Sequence, residues 1–471
     1  MEYQTTIGIE VHCELKTNTK MFSSAKNGYG TTANSYVNII DLGYPGALPI
    51  INKGAIELAL RAALVLNCEI NKKMHFDRKN YFYPDLPKGY QITQARTPIG
   101  IHGYVEIDTP NGKKKIGIHD IHIEEDTAKS IHTAESSLLD FNRAGVPLIE
   151  IVTEPDMNTK EEAMAYVEKL RELLLYANIS DCKIEEGSMR CDVNVSISKT
   201  EKLGMRAEIK NIGSISNIGL AIQKEVERQQ EIYENGGTIQ EETRRFDEKK
   251  GKTVLMRVKE TGNDYRYFPE PDIPYVVLTE EEIESVKRMI PILPNVRRDF
   301  YKAHGMSDIN SDKLIQNRPL SDYLLKAKEN LDYVIASNLL LGDISAYLNK
   351  EHKEIEETML TIEKFESLVD KLASKEITSK IEKEILVDLL EKPMSVEEAL
   401  KEHHLTLVND TKVLEEIVTN IIKQNQESVQ DYKNGKDRAL KYLMGQIMKE
   451  TKGTANPVLV NELLIHLLNE E

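Results

Sequence analysis

The sequence predicts an α+β protein, with a front part rich in strands and loops and a helical back part. Three observations predict it. Of 25 glycines and 16 prolines, only Gly305, Gly342, Gly435, Gly445, Gly453, Pro319, Pro393 and Pro457 lie beyond residue 294, and these residues punctuate turns. Short runs of the front part alternate apolar with polar residues, the period of a half-buried strand. Longer runs of the back part repeat apolar residues at helical spacing.

Residues 6–12 alternate like a strand, and residues 54–67 have helical spacing. Pro110-Asn111-Gly112 reads as a hairpin turn leading into a strand over 115–124. Residues 160–179 form an amphipathic helix with Ala163, Tyr166, Val167, Leu170, Leu173 and Leu174 on one face. Strand-like runs follow at 188–196, 205–211 and 253–259, and Gly236 with Gly237 ends a charged helix that begins near Asn217. Pro291 and Pro294 mark a boundary. Beyond it 354–372 and 380–390 are amphipathic, Ser395 is placed as an N-cap in a capping box with Glu398, and a last small helical unit starts at Thr406. The expected division is 1–293, 294–405 and 406–471.

At 40 % hydrophobic and 29 % charged residues, each part can bury a core. The formal net charge of −16 excludes a basic coat for nucleic acid and leaves only a local patch. One such patch lies at 431–452, where Lys433, Lys436, Arg438, Lys441, Lys449 and Lys452 outnumber Asp431, Asp437 and Glu450. It reads as a surface for a sugar–phosphate backbone or as an ordinary solvated helix. Cys13, Cys68, Cys182 and Cys191 are too scattered for a disulfide scaffold, which fits reduced thiols and a cytoplasmic protein. No run approaches the ~18 apolar residues needed to span a bilayer. The first residues lack the basic start of a signal peptide, so no membrane association is expected.

Residues two apart in a strand point the same way. Met189, Cys191, Val193 and Val195 therefore oppose Arg190, Asp192, Asn194 and Ser196; Arg206, Glu208 and Lys210 oppose Ala207 and Ile209; Arg257 and Lys259 oppose Val254, Met256 and Val258. Such a sheet has an apolar back and a face carrying both signs of charge. That face is either solvated or a floor that holds a polyanion with a metal. The metal candidates are Glu10 with His12, the strand end Glu124-Glu125-Asp126, and Glu150 with Glu154, which share a face with Leu148 and Val152. Carboxylate oxygens of this kind suit Mg²⁺. The segment from Asp77 to Tyr90 mixes Lys79, Tyr81, Tyr83, Asp85 and Lys88 between stiffening prolines, and Asp264 to Asp272 has similar character. Familiar phosphate cradles fail: Gly251-Lys252-Thr253 ends like a P-loop, but Phe246 stands where its first glycine belongs.

Several of these segments carry a resemblance. Ile7-Gly-Ile-Glu-Val-His12, Asp77-Arg-Lys-Asn-Tyr-Phe-Tyr-Pro84, Ile121-His-Ile-Glu-Glu-Asp126, Asp140-Phe-Asn-Arg-Ala-Gly-Val-Pro-Leu-Ile-Glu150, Glu185-Glu-Gly-Ser-Met-Arg-Cys-Asp192, Glu242-Thr-Arg-Arg-Phe246 and Asp264-Tyr-Arg-Tyr-Phe-Pro269 resemble the B subunits of aspartyl/glutamyl-tRNA(Asn/Gln) amidotransferases. Gly445-Gln-Ile-Met-Lys449 and Lys452-Gly-Thr-Ala-Asn-Pro457 resemble the tail domain of that family, so the likeness runs the length of the chain. The resemblance implies an antiparallel-sheet cradle domain followed by a helical linker and a helical, tRNA-binding tail. It implies a heterotrimer with an amidase A subunit that frees ammonia and a small C subunit. It further implies ATP-dependent phosphorylation and transamidation of the side-chain carboxyl of Glu-tRNA(Gln) or Asp-tRNA(Asn).

By motif position, the resemblance implies that His12, Glu125 and Glu150 hold Mg²⁺, with Glu10 in the same shell and Glu124 beside it. Arg190, Asp192, Glu208 and Lys210 would line the floor. Lys79, Tyr81, Tyr83, Asp85 and Lys88 would lie where ammonia arrives, and Arg257 and Lys259 would bind the nucleotide. Many relatives carry a cysteine zinc knot after the first strand. Here that stretch reads Phe22-Ser23-Ser24-Ala25 and Val37-Asn38-Ile39-Ile40, so no zinc is expected and the loop must hold by packing alone. The alternatives are a non-catalytic tRNA-docking scaffold and a free-standing ligase. The charged motifs argue against the first, and the lack of a glutaminase nucleophile setting argues against the second.

Overall fold

The computed structural model describes residues 2–28, 32–133, 135–258, 265–403, 411–433, 436–451, 455 and 457–470. Lys259, Asp264 and Lys452, and the expected domain start at Thr406, lie outside the described residues. The chain divides into two compact units, Met1–Leu293 and Pro294–Glu471. No helix among the described residues is long and apolar enough to cross a membrane.

The first unit runs β1 (Gln4–Glu14), α1 (Lys53–Val65), β2 (Glu69–Ile70), β3 (Lys73–Met74), β4 (Asp77–Asn80), β5 (Tyr90–Thr93), β6 (Gly100–Thr109) and β7 (Gly112–Glu125). It continues through β8 (Lys129–His132), β9 (Ser137–Asp140), β10 (Pro147–Thr153), α2 (Lys160–Tyr176), β11 (Met189–Ser198), β12 (Ala207–Lys210) and α3 (Ile215–Glu234). It closes with β13 (Glu242–Asp247), β14 (Lys252–Val258), β15 (Phe268–Pro269), β16 (Val276–Val277) and α4 (Glu280–Arg288). Nine strands form one sheet in the order β14-β13-β12-β11-β1-β10-β7-β6-β2. Its neighbours are antiparallel except β12 and β13, which α3 joins as a parallel crossover.

Alternation makes the sheet two-faced. Ile7, Ile9, Val11 and Cys13 of β1 are buried on the back with Met189, Cys191, Val193 and Val195 of β11. Residues of α1, α2 and α3 join the same core. Burying one such side chain contributes roughly 1.5–3 kcal/mol, so the back face fixes the register that orients the other face. Asn52, Thr159 and Ser214 N-cap the three helices by accepting from backbone N–H groups of the first turn. The expected apolar back does not extend to β14. Leu255, Met256 and Val258 are all exposed on this edge strand, and a register shift opposite Thr243 and Arg244 breaks its alternation.

The segment between β1 and α1 is not held by packing alone. Met21 and Phe22 enter the core, with the Phe22 ring edge-on to Phe76. Beside them Lys20 and Asp41 form an ion pair of 3.3 Å with both side chains sealed from solvent. Ser23 donates to Asp41 at 3.0 Å, and Lys20 donates to the Phe141 carbonyl at 3.2 Å. A buried pair of this kind fixes the path of the loop and ties it to the chain entering β10.

The second unit is helical. The helix expected over 354–372 begins later, at Ile362–Ala373. Residues Ile355–Glu357 form one 3₁₀ turn, and Thr361 caps the helix proper. The helix Ser379–Glu391 matches its expected span closely. Ser395 and Glu398 form the expected reciprocal capping box. The last helices share a separate core that includes Leu414, Val418, Leu443, Ile447, Val460 and Leu464.

Candidate active site

The polar face of the sheet is a grid. The antiparallel register sets His12 of β1 opposite Glu150 of β10, and Glu150 opposite His122 of β7. Glu124 lies two residues beyond His122 and so faces the same way. His12 Nε2 is 3.5 Å from Glu150 and 3.6 Å from Glu124. His122 joins Glu150 at 2.8 Å through Nε2 and Asp120 at 2.9 Å through Nδ1. One candidate ligand atom from each of His12, Glu124 and Glu150 lies within 4.8 Å of the others.

A second cluster stands one step along β1. Glu10 pairs with Asp192 of β11, and Asn194 pairs with Glu208 of β12. Oxygens of Glu10, Asp192 and Glu208 also lie within 4.8 Å of one another. Asn194 donates to Glu10 at 2.9 Å, and Lys210 bridges to Glu208 at 2.7 Å and to Asp192. Arg190 pairs with Asp126 at 3.0 Å. A cleft of about 570 Å³ is lined by His12, Lys79, Tyr81, Glu124, Arg190, Asp192 and Lys210. The Lys79 ammonium lies 4.9 Å from the Tyr265 ring and 6.0 Å from that of Tyr81.

Burial and close carboxylates set the protonation of this face. Burial pushes the Glu10 and Glu124 carboxyls up, and Glu150 adds to the push in both cases. Burial alone would depress His12, but Glu150 and Glu124 outweigh it and hold the imidazole at about 9. His122 is held at about 10 against burial by Glu150 and Asp120. Burial would raise Glu150, but the two imidazoles keep it well below the usual carboxylate range. Burial would lower Lys79, but Glu124 and its neighbours raise it.

One imidazole, once a cation displaces its proton, and two carboxylates converging from three strands would fit a divalent ion, and a second all-carboxylate cluster fits a hard, oxygen-preferring one. The grid departs from the expected set at two positions: Glu10 joins Asp192 and Glu208 in the second cluster, and Glu125 is replaced by its neighbour. Glu124, not Glu125, reaches His12 and Glu150. Glu125 points through the other side of β7, where it accepts from the Ile92 N–H at 3.0 Å and forms a buried pair with Lys88. The cause is strand alternation, which sends adjacent residues to opposite faces. Lys79 and Tyr81 join the cleft, and so do Arg190, Asp192 and Lys210. Lys88 sits behind them on Glu125. The Asp85 carbonyl accepts from the Ala128 N–H at 2.9 Å, and Tyr83 is exposed. Arg257 is exposed on edge strand β14, where it pairs with Thr243, which pairs in turn with Glu208, so it stands in the row of the second cluster two strands out, about 10 Å at ~4.8 Å per strand.

Sequence reasoning placed Asn194 on this face without a role, and missed His122 and Asp120. Their signal was present, because His122 and Asp120 precede Glu124 by two and four residues on the same strand. Glu14 was also missed. It lines a neighbouring cleft of about 280 Å³ with Arg143 and Lys129. Burial, with Asp126, pushes its carboxyl up to about 8, against Arg190 and Arg143.

A sheet face with two carboxylate clusters among lysine and arginine carries the groups that phosphate chemistry uses. The sequence matches the GatB/GatE catalytic domain over residues 5–284 and the GatB domain over residues 322–468. It is 47 % identical over 474 aligned residues to the B subunit of the aspartyl/glutamyl-tRNA(Asn/Gln) amidotransferase from Bacillus cereus (strain Q1), covering 100 % of both chains. The protein of the same name from Bacillus thuringiensis (strain Al Hakam) gives the same identity and coverage. The chain belongs to the GatB family.

Proposed function

We propose that this chain is the catalytic B subunit of a tRNA-dependent amidotransferase, a ligase of protein biosynthesis. It converts glutamate on tRNA(Gln), or aspartate on tRNA(Asn), to the amide. A carboxylate resists attack by ammonia because its leaving group would be oxide. ATP supplies a phosphoryl group to one carboxylate oxygen and leaves as ADP. Ammonia then attacks the carbonyl carbon, the carbon–oxygen bond breaks, and phosphate departs as the amide forms. A partner amidase A subunit frees the ammonia, a small C subunit completes the heterotrimer, and the assembly works in the cytoplasm.

The observation that carries this reading is the convergence of His12, Glu124 and Glu150 beside the cluster of Glu10, Asp192 and Glu208, with His12, Glu124 and Asp192 lining one cleft. The first cluster, and the second beside it, would hold Mg²⁺, which screens phosphate charge and orients phosphoryl oxygens. Arg190 and Lys210 offer fixed cations to the phosphates, because Asp126 and Asp192 hold their side chains in place. Lys79, kept charged by Glu124, faces the same cleft. Lys88 pairs with Glu125 behind the cleft, and with Lys79, Tyr81, Tyr83 and Asp85 it would lie where ammonia arrives. The exposed Lys433, Lys436, Arg438, Lys441 and Lys449 of the last helices touch the tRNA backbone.

The test is reconstitution with the A and C partners, ATP, Mg²⁺ and Glu-tRNA(Gln). The expected products are ADP, phosphate and Gln-tRNA(Gln). Glu124→Gln and Glu150→Gln should abolish ADP formation while the partner still hydrolyses glutamine. Normal ADP formation by both variants would refute the assignment.

A further inference from the structure

One buried carboxyl of this face has no task in phosphoryl transfer. Glu14 ends β1 on the same side as Glu10 and His12. It pairs with Leu148 of β10, which pairs in turn with Glu124 and lines the main cleft. Glu14 is 6 % exposed, yet among the described residues its side chain has no hydrogen bond or ion pair. The cations whose charge reaches it, Arg190 and Arg143, pair with Asp126 at 3.0 and 3.4 Å. Arg143 also donates to the Thr127 and Ala128 carbonyls at 3.0 and 2.9 Å.

Glu14 lines a cleft of about 280 Å³. The other charged groups around that cleft are engaged or turned to solvent. Glu186 pairs with Lys183 at 2.9 Å, Asp140 accepts from the Asn34 and Asn142 N–H groups at 3.0 Å each, and Lys129 is exposed. Burying a carboxyl without a partner is costly, so one that faces a cavity in this way marks a place for a cationic ligand. Glu14 stands in neither of the clusters whose ligand atoms converge, so the ligand is not a hard divalent ion, which gathers several oxygens. A single carboxyl with open space before it suits an alkylammonium, held by a charge-assisted hydrogen bond. The ammonium also offsets the cost of ionising the carboxyl there.

Distance along β1 decides which ammonium. At ~3.3–3.4 Å per residue, Glu14 stands about 7 Å from His12 on one face of the strand. In a glutamyl ester, four bonds of ~1.5 Å separate the side-chain carboxyl carbon from the α-nitrogen, about 5 Å when extended. A charge-assisted hydrogen bond adds ~2.8 Å, which brings the total to about 8 Å. The path in an aspartyl ester is one bond shorter, so about 7 Å suits both acids. We propose that Glu14 receives the α-ammonium of the aminoacyl group while the side-chain carboxyl of that group lies at the His12 cluster. The proposal rests on the amidotransferase reading above. Held at both ends, the amino acid offers its side-chain carboxyl, not its ester carbonyl, to the phosphoryl group.

Exchange of the α-ammonium for a hydroxyl tests this in the assembled complex. Wild type should amidate α-hydroxyglutaryl-tRNA(Gln) with a kcat/KM roughly 10- to 100-fold below that for Glu-tRNA(Gln), the worth of a hydrogen bond to a charged group. Glu14→Gln should lower kcat/KM for Glu-tRNA(Gln) by a similar factor and use the two esters almost equally, because both changes remove one interaction. Its KM for ATP and the partner's glutamine hydrolysis should stay near wild type. Glu14→Asp should restore part of the preference. The wild-type comparison does not depend on any variant folding. A free ammonium ion is the competing source of the same chemistry, and ammonium chloride supplied in place of glutamine reads it. A wild-type complex that uses both esters equally, a Glu14→Gln complex that keeps the full preference, or one whose KM rises for ammonium chloride alone would overturn the proposal. Failure of the wild-type complex to amidate Glu-tRNA(Gln) would instead overturn the functional reading itself.

Discussion

Replacing Lys20 by methionine tests how the long segment after the first strand is held. Lys20 and Asp41 are sealed from solvent at 3.3 Å. Lys20→Met keeps most of the apolar stem volume and leaves the Asp41 carboxylate buried. Among the described residues, the Ser23 hydroxyl at 3.0 Å and the Asn38 N–H at 3.2 Å then remain as its hydrogen-bond donors. Removing one partner of a buried pair costs about 3–5 kcal/mol, because the other charge stays without compensation. With a urea slope of ~2–3 kcal/mol per molar, the first unit's midpoint should fall by roughly 1–2 M. Asp41→Asn placed on top removes the stranded charge and keeps the acceptor for Ser23, so the double variant should recover at least half the loss. Urea denaturation followed by intrinsic tyrosine fluorescence measures both. A cost below about 1 kcal/mol for Lys20→Met, or a double variant as unstable as the single one, would refute the reasoning.

Other predictions concern the catalytic face and the helical unit. Arg190→Ala should lower the kcat/KM of ADP formation by roughly 10²-fold, leaving the partner's glutamine hydrolysis intact; an equal loss of both activities would mean disrupted assembly. Glu382 is buried and held up at about 7, first by burial and then by Asp343, above its usual 4.5. A raised carboxyl stabilises the fold relative to its ionised form at low pH. Its contribution is therefore lost as pH rises from about 4.5 to about 7. Glu382→Gln should flatten that slope and raise the thermal midpoint above neutral pH; an unchanged slope would contradict the burial argument. Arg438→Ala with Lys441→Ala should raise the KM for tRNA and weaken its salt dependence, while the KM for ATP stays fixed.

Much of this architecture was legible because strand alternation is a local property. The run from Met189 to Ser196 announces its own two faces, and the structure buries one and turns the other to the cleft. The capping box at Ser395 is equally local. What could not be read depends on how distant segments meet. Nothing near Glu124 or Glu125 says which face of β7 will look toward His12; that follows from the two registers that link β7 through β10 to β1. β14 fails for a different reason. The register shift beside Arg244 breaks the period that set Met256 and Val258 on a buried back, and the strand's place at the sheet edge is a matter of strand order. The Lys20–Asp41 pair escaped because its partners are 21 residues apart in a stretch without periodicity.

The central claim is that His12, Glu124 and Glu150 converge to hold one divalent ion. Manganese binding to the assembled complex, followed by pulsed electron paramagnetic resonance, tests it most directly. The claim predicts a bound ion whose spectrum carries coupling to one imidazole nitrogen. Binding should weaken sharply in Glu124→Gln and stay close to wild type in Glu125→Gln. Bound manganese without nitrogen coupling, or with the effects of those two variants reversed, would contradict it.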